Sequence, residues 1–324
     1  MASRDDLETT AAALDGSIVV CGVGSVAGAL PDAMPADVPV RTVPGVRDED
    51  ATSIAAVVVG VDVTDVADST AADPIDALRR LASTPAFTVA VVQGIDGDAA
   101  RLSAIAEIVD AVVLVDGVRA RPTAEGDAAP TTERNAAPTT ERNAASTAEG
   151  DVAAGTAGAI RTFLAMVRDP GFANLDLADA RTVLSSGIAA MGTGRATRDA
   201  PTDAIATAFD RLPSEIDPTT ASAVLVDVVV DPHTSLTATT DAIAAVRERI
   251  ASDANVIWGG TVDETVDDEI AVRIVVADVR YAPTLAAGDP CPRCGTVLSA
   301  YALGTRETLS CDGCGYSGIA MRRE

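Results

Sequence analysis

Four short runs of almost uninterrupted apolar residues in the first third of the chain constrain its fold more than any other feature. The runs end at Gly or Asp, and stretches with the apolar spacing of helices separate them, for example at 73–85 and 101–110. A strand that is apolar on both faces must be covered on both faces, which is typical of parallel sheets flanked by helices. We therefore predict a doubly wound α/β sheet. Its strands are expected at 17–24, 55–63, 87–94 and 111–117.

A polar tandem repeat interrupts this alternation. The sequence AAPTTERN occurs twice in succession, at 128–135 and 136–143, within a Pro-containing stretch that has no apolar face to bury. Sequences of this kind do not pack into a core. We therefore expect a disordered insertion at 121–151, produced by duplication in a tolerant loop.

The remainder of the chain predicts further ordered segments. Pro170 and Gly171 close an Ala-rich helix, and helices and strands follow in an order that indicates a smaller α+β domain. The predicted organisation is an N-terminal tail at 1–16, an α/β domain at 17–120, the insertion at 121–151, a central helix at 152–172, the α+β domain at 173–282 and a cysteine-containing module at 286–324.

Two CxxC units in this last module predict a metal site. The four cysteines follow the pattern C-x2-C-x16-C-x2-C and are Cys291, Cys294, Cys311 and Cys314. Four thiolates arranged as a tetrahedron are the ligand set of structural zinc ribbons. We predict one structural Zn²⁺ with no open position for catalysis, and a positive φ at Gly295 and Gly315, which follow the second cysteine of each unit.

The charge of the chain argues against nucleic acids and anionic lipids as partners. The chain has 48 Asp and Glu residues against 24 Lys and Arg residues, a formal net charge of −24, and every one of the cations is Arg. Such a surface repels phosphate groups. No apolar run reaches the roughly 20 residues of a membrane span, and the first residues lack the basic region of a signal peptide, so we expect a cytoplasmic protein. The composition resembles that of proteins from salt-loving archaea.

Three single residues are given structural interpretations. Cys21 lies in an apolar strand and is expected to be a buried small hydrophobe. His233 has no partners for a catalytic triad and is expected at the surface, whereas Trp258 is expected in the core of a strand. Hydrolase and protease chemistry therefore finds no support in the sequence.

The segment at 163–196 resembles the FtsZ/tubulin family, specifically FtsZ. It contains a helix end with Pro-Gly, the loop NLDLAD and the run SSGIAAMGTG, in the order that the family has them. The run at 252–279, SDANVIWGGTVDETVDDEIAVRIVVADV, resembles a second segment of the family. The resemblance is specific in the second half of the chain and architectural back to residue 17. It implies a Rossmann-like nucleotide-type domain, a central helix and a smaller α+β domain.

The resemblance also implies a site shared between subunits. In this family, subunits stack head to tail with GTP between them, and an acidic loop of one subunit completes the hydrolytic site of the next. The corresponding residues here are Asn174, Asp176 and Asp179, whose carboxylates would position and polarise the attacking water. The spacing D-x-x-D equally predicts a helix N-cap with the second Asp in the first turn, and the two interpretations are compatible.

The loops that hold GTP in the family are altered in this chain. The family's first loop reads G-x-G-G-G-G-x-N, whereas residues 22–29 read GVGSVAGA, with the side chain of Val26 expected to intrude. The expected Gly-rich loop after the strand at 55–61 is replaced by residues that include Asp62, Asp65 and Asp68. A phosphate cradle needs free backbone amides, and carboxylates repel a triphosphate. We therefore expect that the chain does not bind GTP in the family's manner.

Three functional hypotheses follow from the resemblance. The leading one is an FtsZ-like pseudo-GTPase that regulates or caps FtsZ-type filaments head to tail, in the cytoplasm at the division site, with an FtsZ-family protein or a second copy as partner. The first alternative is an active GTPase that polymerises by itself, with Gly22, Gly24 and Gly28 as a reduced phosphate cradle. The second is a zinc-ribbon adaptor on an FtsZ-type scaffold.

Overall fold

The computed structural model describes most of the predicted ordered segments. The described residues are 17–43, 54–62, 74–83, 86–93, 99–116, 141–185, 187–266, 268–281, 285, 287–289, 291, 294–303 and 306–319. The predicted tail at 1–16, residues 121–140 of the predicted insertion, and Asp65 and Asp68 lie outside them.

The first part of the chain forms five parallel strands, and all four predicted apolar runs are among them. The strands are β1 (Ser17–Val23), β2 (Val40–Thr42), β3 (Ile54–Asp62), β4 (Phe87–Gln93) and β5 (Ala111–Val115). The helices between them are α1 (Val26–Ala33), α2 (Pro74–Ala82) and α3 (Ala99–Ala106). Every residue of β3, β4 and β5 is buried, which is why their sequences show no alternation of apolar and polar residues.

The second part contains a long helix, four longer strands and shorter helices. The elements are α4 (Glu141–Arg168), α5 (Leu177–Val183), β6 (Ile188–Thr197), α6 (Pro201–Asp210), β7 (Ile216–Asp217), a 3₁₀ turn (Pro218–Thr220), β8 (Ala223–Val230), α7 (Leu236–Arg247), β9 (Asn255–Val262), β10 (Glu269–Ala277) and β11 (Arg280–Tyr281). A separate three-stranded sheet, β12 (Ser299–Leu303), β13 (Arg306–Ser310) and β14 (Ser317–Ile319), carries the cysteine pairs.

One sheet runs through both parts. Its order is β2-β1-β3-β4-β5-β6-β10-β8-β9, and the parallel pairing of β5 with β6 joins the two parts. Strand β10 is antiparallel to both of its neighbours, whereas β9 is parallel to β8 at the edge. The predicted α/β class with a smaller α+β part is therefore confirmed, and the two parts share a continuous set of backbone hydrogen bonds.

Two apolar cores lie on opposite faces of this sheet. Helices α2, α3, α6 and α7 pack on one face, and α1, α4 and α5 pack on the other. The second core is centred on Ile160, Phe163 and Leu164 of α4, which are buried against the strands. Burying each such side chain contributes about 1.5–3 kcal/mol. The long helix is thus a central structural element of the fold.

The predicted boundary between the insertion and the central helix is wrong. Helix α4 begins at Glu141 and ends at Arg168, whereas the sequence analysis placed it at 152–172. Residues 141–151 are therefore helical rather than disordered. Six of these eleven residues are Ala, Glu or Arg, which are strong helix formers, and they extend a helix whose later turns are held by packing.

No helix among the described residues combines the length and the apolar character needed to cross a bilayer.

Candidate functional site

The three predicted residues of the acidic loop lie together in the turn after α4 and the first turn of α5. Asn174 Oδ1 accepts a 2.7 Å hydrogen bond from the Gly171 amide and so closes the turn that follows α4. Asp176 is the N-cap of α5, and its Oδ1 accepts from the Asp179 amide at 2.9 Å. The Asp176 amide in turn donates to Asp179 Oδ2 at 3.1 Å. This reciprocal capping box confirms the N-cap interpretation.

The capping box fixes both carboxylates but leaves part of each available. A carboxylate has two oxygens, and the box uses Oδ1 of Asp176 and Oδ2 of Asp179. Asn174 and Asp176 are exposed and Asp179 is half-buried, so that burial raises the pKa of Asp179 above its ordinary value. The loop therefore presents rigidly held acidic and amide groups to a ligand outside the chain.

A glycine pair in the edge strand β9 anchors this loop. Ala173 and Gly260 form an antiparallel bridge, with N–O distances of 2.8 and 3.3 Å. A Cβ atom on Gly259 would lie 2.6 Å from Leu175 Cγ, and a Cβ atom on Gly260 would overlap the Phe172 ring. Glycine inside a strand often marks such a close approach. The adjacent glycines at 259 and 260 are the sequence signal of this contact.

An exposed apolar surface adjoins the loop, and we call it the aromatic patch. Phe172 is 46% exposed, Trp258 38% and Val262 49%. Side chains at every second position of a strand project from the same face, so Trp258 and Val262 share a face of β9 with Gly260. The Phe172 ring lies against Gly260 on this face. Trp258 is in a strand, as predicted, but its assignment to the core is wrong because β9 is the last strand of the sheet.

The position where a doubly wound sheet usually binds its ligand lies between β1 and β3. There the strand order reverses, and ligands enter the crevice beyond the carboxyl ends of the strands. In this chain Ser25 Oγ donates a 2.9 Å hydrogen bond to Oδ2 of Asp62, the last residue of β3. Asp62 is only 1% exposed. A side-chain pair therefore connects the two strand ends across this crevice.

The three predicted cradle glycines have separate structural roles. A Cβ atom on Gly22 would lie 2.5 Å from Ala27 Cα, so this glycine allows β1 and α1 to pack closely. Gly24 has a φ of +70°, which the turn after β1 requires, whereas Gly28 lies within α1 with open space beside it. The amides of Ala27 and Gly28 already donate to the carbonyls at positions 24 and 25.

Val26 does not intrude into this loop. Its side chain is buried in the core, where a Cβ atom on Gly60 of β3 would lie 2.5 Å from Val26 Cγ1. The expectation of a steric obstruction by Val26 is therefore wrong. The group that bridges the crevice is the Ser25–Asp62 pair.

A second polar group at the same edge of the sheet is also bonded internally. Gln93, the last residue of β4, is buried, and its Oε1 accepts a 3.1 Å hydrogen bond from Thr156 of α4. A Cβ atom on Gly155 would lie 2.7 Å from Gln93 Oε1, so the helix and the amide are in close contact. The polar residues at the ends of β3 and β4 thus both form bonds within the chain.

The four cysteines predicted as metal ligands converge in the three-stranded sheet. Their Sγ atoms all lie within 4.8 Å of one another, with 3.6 Å between Cys291 and Cys314 and 3.4 Å between Cys294 and Cys311. Four thiolates bound to zinc at about 2.3 Å would lie about 3.8 Å apart. The side chains present therefore fit one tetrahedral metal ion.

Both halves of this cysteine cluster have the same backbone geometry. The Cys291 amide donates to the Thr296 carbonyl at 2.8 Å, and the Cys311 amide donates to the Tyr316 carbonyl at 2.9 Å. The predicted positive φ is confirmed at +73° for Gly295 and +70° for Gly315.

The pKa of the thiol differs between cysteines inside the cluster and Cys21, which lies outside it. Thr296 Oγ1 lies 3.4 Å from Cys294 Sγ, and hydrogen bonding to Thr296 lowers the pKa of Cys294, whereas desolvation and the neighbouring thiols raise the pKa of Cys314. The fifth cysteine, Cys21, is buried in β1, and burial raises the pKa of its thiol to about 12. Its predicted role as a neutral small hydrophobe agrees with this environment.

Comparison with known proteins identifies a family model that matches the second part of the chain, and curated relatives. Residues 187–280 match the model of the FtsZ family, C-terminal domain. Cell division protein FtsZ 1 of Halobacterium salinarum is 32% identical over 123 residues, which are 37% of this chain and 31% of that protein. Cell division protein FtsZ of Coxiella burnetii is 32% identical over 139 residues, which are 41% and 35% of the two chains. The matched segment thus spans about a third of the length of these curated relatives.

Solved structures extend the likeness to the whole fold. An empty FtsZ dimer of M. jannaschii superposes with a TM-score of 0.58 at 15% identity, covering 90% of this chain and 100% of the other. CetZ2 of Haloferax volcanii, a GTPγS-bound protofilament, superposes with a TM-score of 0.56 at 19% identity, covering 82% and 94%. At these identities the superpositions establish the fold and leave the activity to be argued from the residues.

Proposed function

Because the chain is a member of the FtsZ/tubulin family, we propose that it is a pseudo-GTPase that docks on FtsZ-type filaments and regulates them. The observation that carries this proposal is an asymmetry between two ends of the fold. The ligand crevice between β1 and β3 is bridged by Ser25 and Asp62, whereas the acidic loop at Asn174, Asp176 and Asp179 is ordered and accessible.

The altered crevice supports the absence of GTP binding in the family's mode. A triphosphate needs several free amides pointing into a concave loop, and two of the amides after β1 are bonded back to the turn. A carboxylate facing a triphosphate in a partly buried site is repulsive by several kcal/mol, as Coulomb's law at an effective dielectric near 20 indicates. Asp62 and Gln93 both occupy ends of core strands from which a nucleotide would otherwise be contacted.

The acidic loop and the aromatic patch support docking on a partner. The relatives include an FtsZ dimer and a CetZ2 protofilament, so we propose a head-to-tail contact with an FtsZ-family protein or a second copy of this chain. An exposed tryptophan beside a rigid polar loop is a typical binding anchor, since aromatic residues carry much of the energy of protein interfaces. Asp176 and Asp179 would then face the nucleotide of the partner.

A subunit with one competent end would act as a cap. It joins the filament through its acidic loop, but it offers the next subunit no bound nucleotide. We expect it to act in the cytoplasm, where the partner filament assembles, and to shorten filaments or change their turnover.

We also propose that the cysteine cluster holds a structural Zn²⁺. Four thiolates are soft ligands that select zinc over magnesium or calcium, and no position remains open for a substrate. Bound zinc would supply folding energy to the small sheet β12–β14, which has a core of only a few buried residues.

The test mixes the purified chain with a GTPase-competent FtsZ and follows light scattering and phosphate release. Asp176→Asn keeps an N-cap acceptor and removes the charge, and Asp241→Asn, an exposed residue of α7, is the matched control. We expect the chain and the control to change polymer length or turnover and Asp176→Asn to lose that effect. No effect of the unmodified chain would refute the regulatory role.

A separate measurement addresses the alternative of an active GTPase. Labelled GTP is titrated into the chain alone, up to low millimolar concentration. We expect no saturable binding in the crevice between β1 and β3. Micromolar binding that is lost in a Gly24→Val variant, which strains the turn of φ +70°, would overturn the pseudo-GTPase and favour the reduced cradle.

A further inference from the structure

A cleft of 530 Å³ lies between the last turns of α4 and the face of the sheet formed by β6, β8 and β10. Two carboxylates line it, from Asp169 and Asp263, together with five guanidinium groups. We call it the arginine cleft, and its cations are Arg161, Arg168, Arg195, Arg211 and Arg273. The lining thus has three more cations than carboxylates in a chain of net charge −24, although three of these arginines also pair with carboxylates outside the lining.

The face of the sheet changes character where the cleft begins. Along β6, Met191 belongs to the apolar core beneath α4, whereas Thr193 and Arg195, further along the same face, line the cleft. Along β10, Val275 lies in the core and Arg273 lines the cleft, and a small apolar cluster that includes Ala271 follows on the same face. A sheet face that is covered by a helix is apolar, and polar residues appear where the face is open. The open part of the face therefore presents guanidinium and hydroxyl groups to the cleft.

Two of the arginines, half-buried Arg273 and exposed Arg211, are hydrogen-bonded to the strands that line the cleft. Arg273 is paired across the sheet with Thr193 on one side and Asp227 on the other, and its Nη1 donates to Asp227 Oδ2 at 3.0 Å. Arg211 Nη1 donates to the Thr193 carbonyl at 3.3 Å. Each guanidinium has five N–H donors, so a single bond fixes the group and leaves donors for a ligand.

The other three arginines are available at the rim. Arg168 pairs with Asp37 at 2.7 Å and Arg195 with Glu269 at 3.2 Å, and both acidic partners lie on the surface outside the cleft lining. Exposed ion pairs of this kind are worth about 0–1 kcal/mol and exchange readily. Arg161 forms no hydrogen bond or ion pair with the described residues.

From this arrangement we propose that the arginine cleft binds a small polyanion that carries a diphosphate or triphosphate group. Planar guanidinium forks match phosphate oxygens in pairs, and several forks around one volume favour a ligand with several phosphates. The volume lies within the range of small-molecule sites, about 300–1,000 Å³. The site is separate from the crevice between β1 and β3 and does not depend on the proposed filament role.

The test is calorimetric titration of the full chain with inorganic triphosphate at fixed ionic strength. Arg161→Glu is the informative variant, because Arg161 is exposed and makes no contact that folding needs. Arg247→Glu, an exposed arginine in the last turn of α7, is the control with the same change of charge. We expect saturable binding that Arg161→Glu weakens at least tenfold and Arg247→Glu leaves within twofold, with unchanged melting temperatures.

Two results would overturn the proposal. One is an unmodified chain that binds no triphosphate at millimolar concentration, and the other is an equal loss of affinity in both variants, which would reflect net charge alone. Competition with ATP and GTP then identifies the source of the phosphates. If ATP, GTP and inorganic triphosphate compete equally, the site recognises the phosphate chain alone. If ATP or GTP binds more tightly than inorganic triphosphate, the site recognises a nucleotide.

Discussion

Ser25 Oγ donates a 2.9 Å hydrogen bond to Asp62 Oδ2 and so connects the loop after β1 to the end of β3, 37 residues later in the chain. The bond spans the point where the order of the sheet reverses. Because Asp62 is buried, its carboxylate needs donors from the protein in place of water. The pair is therefore a structural element of this part of the fold, at the position where a ligand would otherwise lie.

Ser25→Ala is expected to lower the free energy of unfolding by about 1–2 kcal/mol, because a buried carboxylate loses a hydrogen-bond donor. Urea unfolding followed by circular dichroism measures the change. Ser185→Ala removes an exposed hydroxyl that donates to the Thr182 carbonyl at 3.0 Å and is the control, with an expected effect below about 0.5 kcal/mol. Equal effects of the two variants would show that the Ser25–Asp62 bond adds nothing to stability.

Gly260→Ala is expected to disturb the acidic loop, since a Cβ atom there would overlap the Phe172 ring. We expect a loss of about 1–3 kcal/mol of stability from overpacking and a weaker effect on the partner filament. Gly28→Ala is the matched control, because it faces open space inside α1 and should be neutral or stabilising by up to about 1 kcal/mol. A stable Gly260→Ala chain with full activity on filaments would contradict the anchoring role of this glycine.

The single tryptophan of the chain is expected to report docking. Trp258 is 38% exposed in the aromatic patch, so its emission should be red-shifted in the free chain and should move to shorter wavelength when a partner covers it. Titration with a Trp-free FtsZ gives the affinity directly. Emission that stays constant while sedimentation demonstrates binding would place the contact elsewhere.

Purified protein is expected to contain one zinc ion per chain by elemental analysis. Cys311→Ser should lose the ion and destabilise the sheet β12–β14, because a tetrahedral site needs all four thiolates. Cys21→Ala is the control, since Cys21 is buried in β1 and separate from the cluster, and it should retain the metal. Zinc retained in the Cys311→Ser chain would refute the assignment of ligands.

Asp227 is expected to make stability depend on pH. Burial, opposed by the attraction of Arg273, raises the pKa of Asp227 to about 6, so the native chain binds this proton more tightly than the unfolded chain. The associated stability is present below about pH 4 and is lost as pH rises through 6, by at most about 3 kcal/mol. Relative to Asp227→Asn, the free energy of unfolding should therefore fall between pH 4 and 7.

Urea titrations of both chains at four pH values in this range provide the measurement. Asp241→Asn, at an exposed position of α7, should follow the unmodified chain throughout. Parallel curves for the unmodified chain and Asp227→Asn would show that this carboxyl titrates normally.

Local sequence patterns predicted the features that depend on local chemistry. The apolar runs of β1, β3, β4 and β5 identify buried strands because both faces must be covered, and the CxxC units identify a metal site through ligand spacing. The capping box of α5 also follows from a short pattern, with Asp176 and Asp179 three residues apart.

Features that depend on contacts between residues far apart in the sequence could not be predicted from local patterns. Strand β6 was not predicted because Gly192 and Gly194 weaken its strand pattern, and both are explained only by α6, whose carbonyls approach too closely for a Cβ atom. The Ser25–Asp62 bond joins residues that no local pattern relates. The exposure of Trp258 depends on β9 being the edge of the sheet, a matter of strand order.

The parallel ladder between β5 and β6 has a mechanical consequence. A hinge between the nucleotide-type part and the part that carries the acidic loop would have to break four consecutive pairings of a buried ladder, so bending by rotation at this seam is costly. Rotation between the two parts at this seam is therefore resisted by the backbone hydrogen bonds of the nine-stranded sheet. For the filament role proposed above, control by bending at this seam is disfavoured, which leaves the binding properties of the two ends as the source of control.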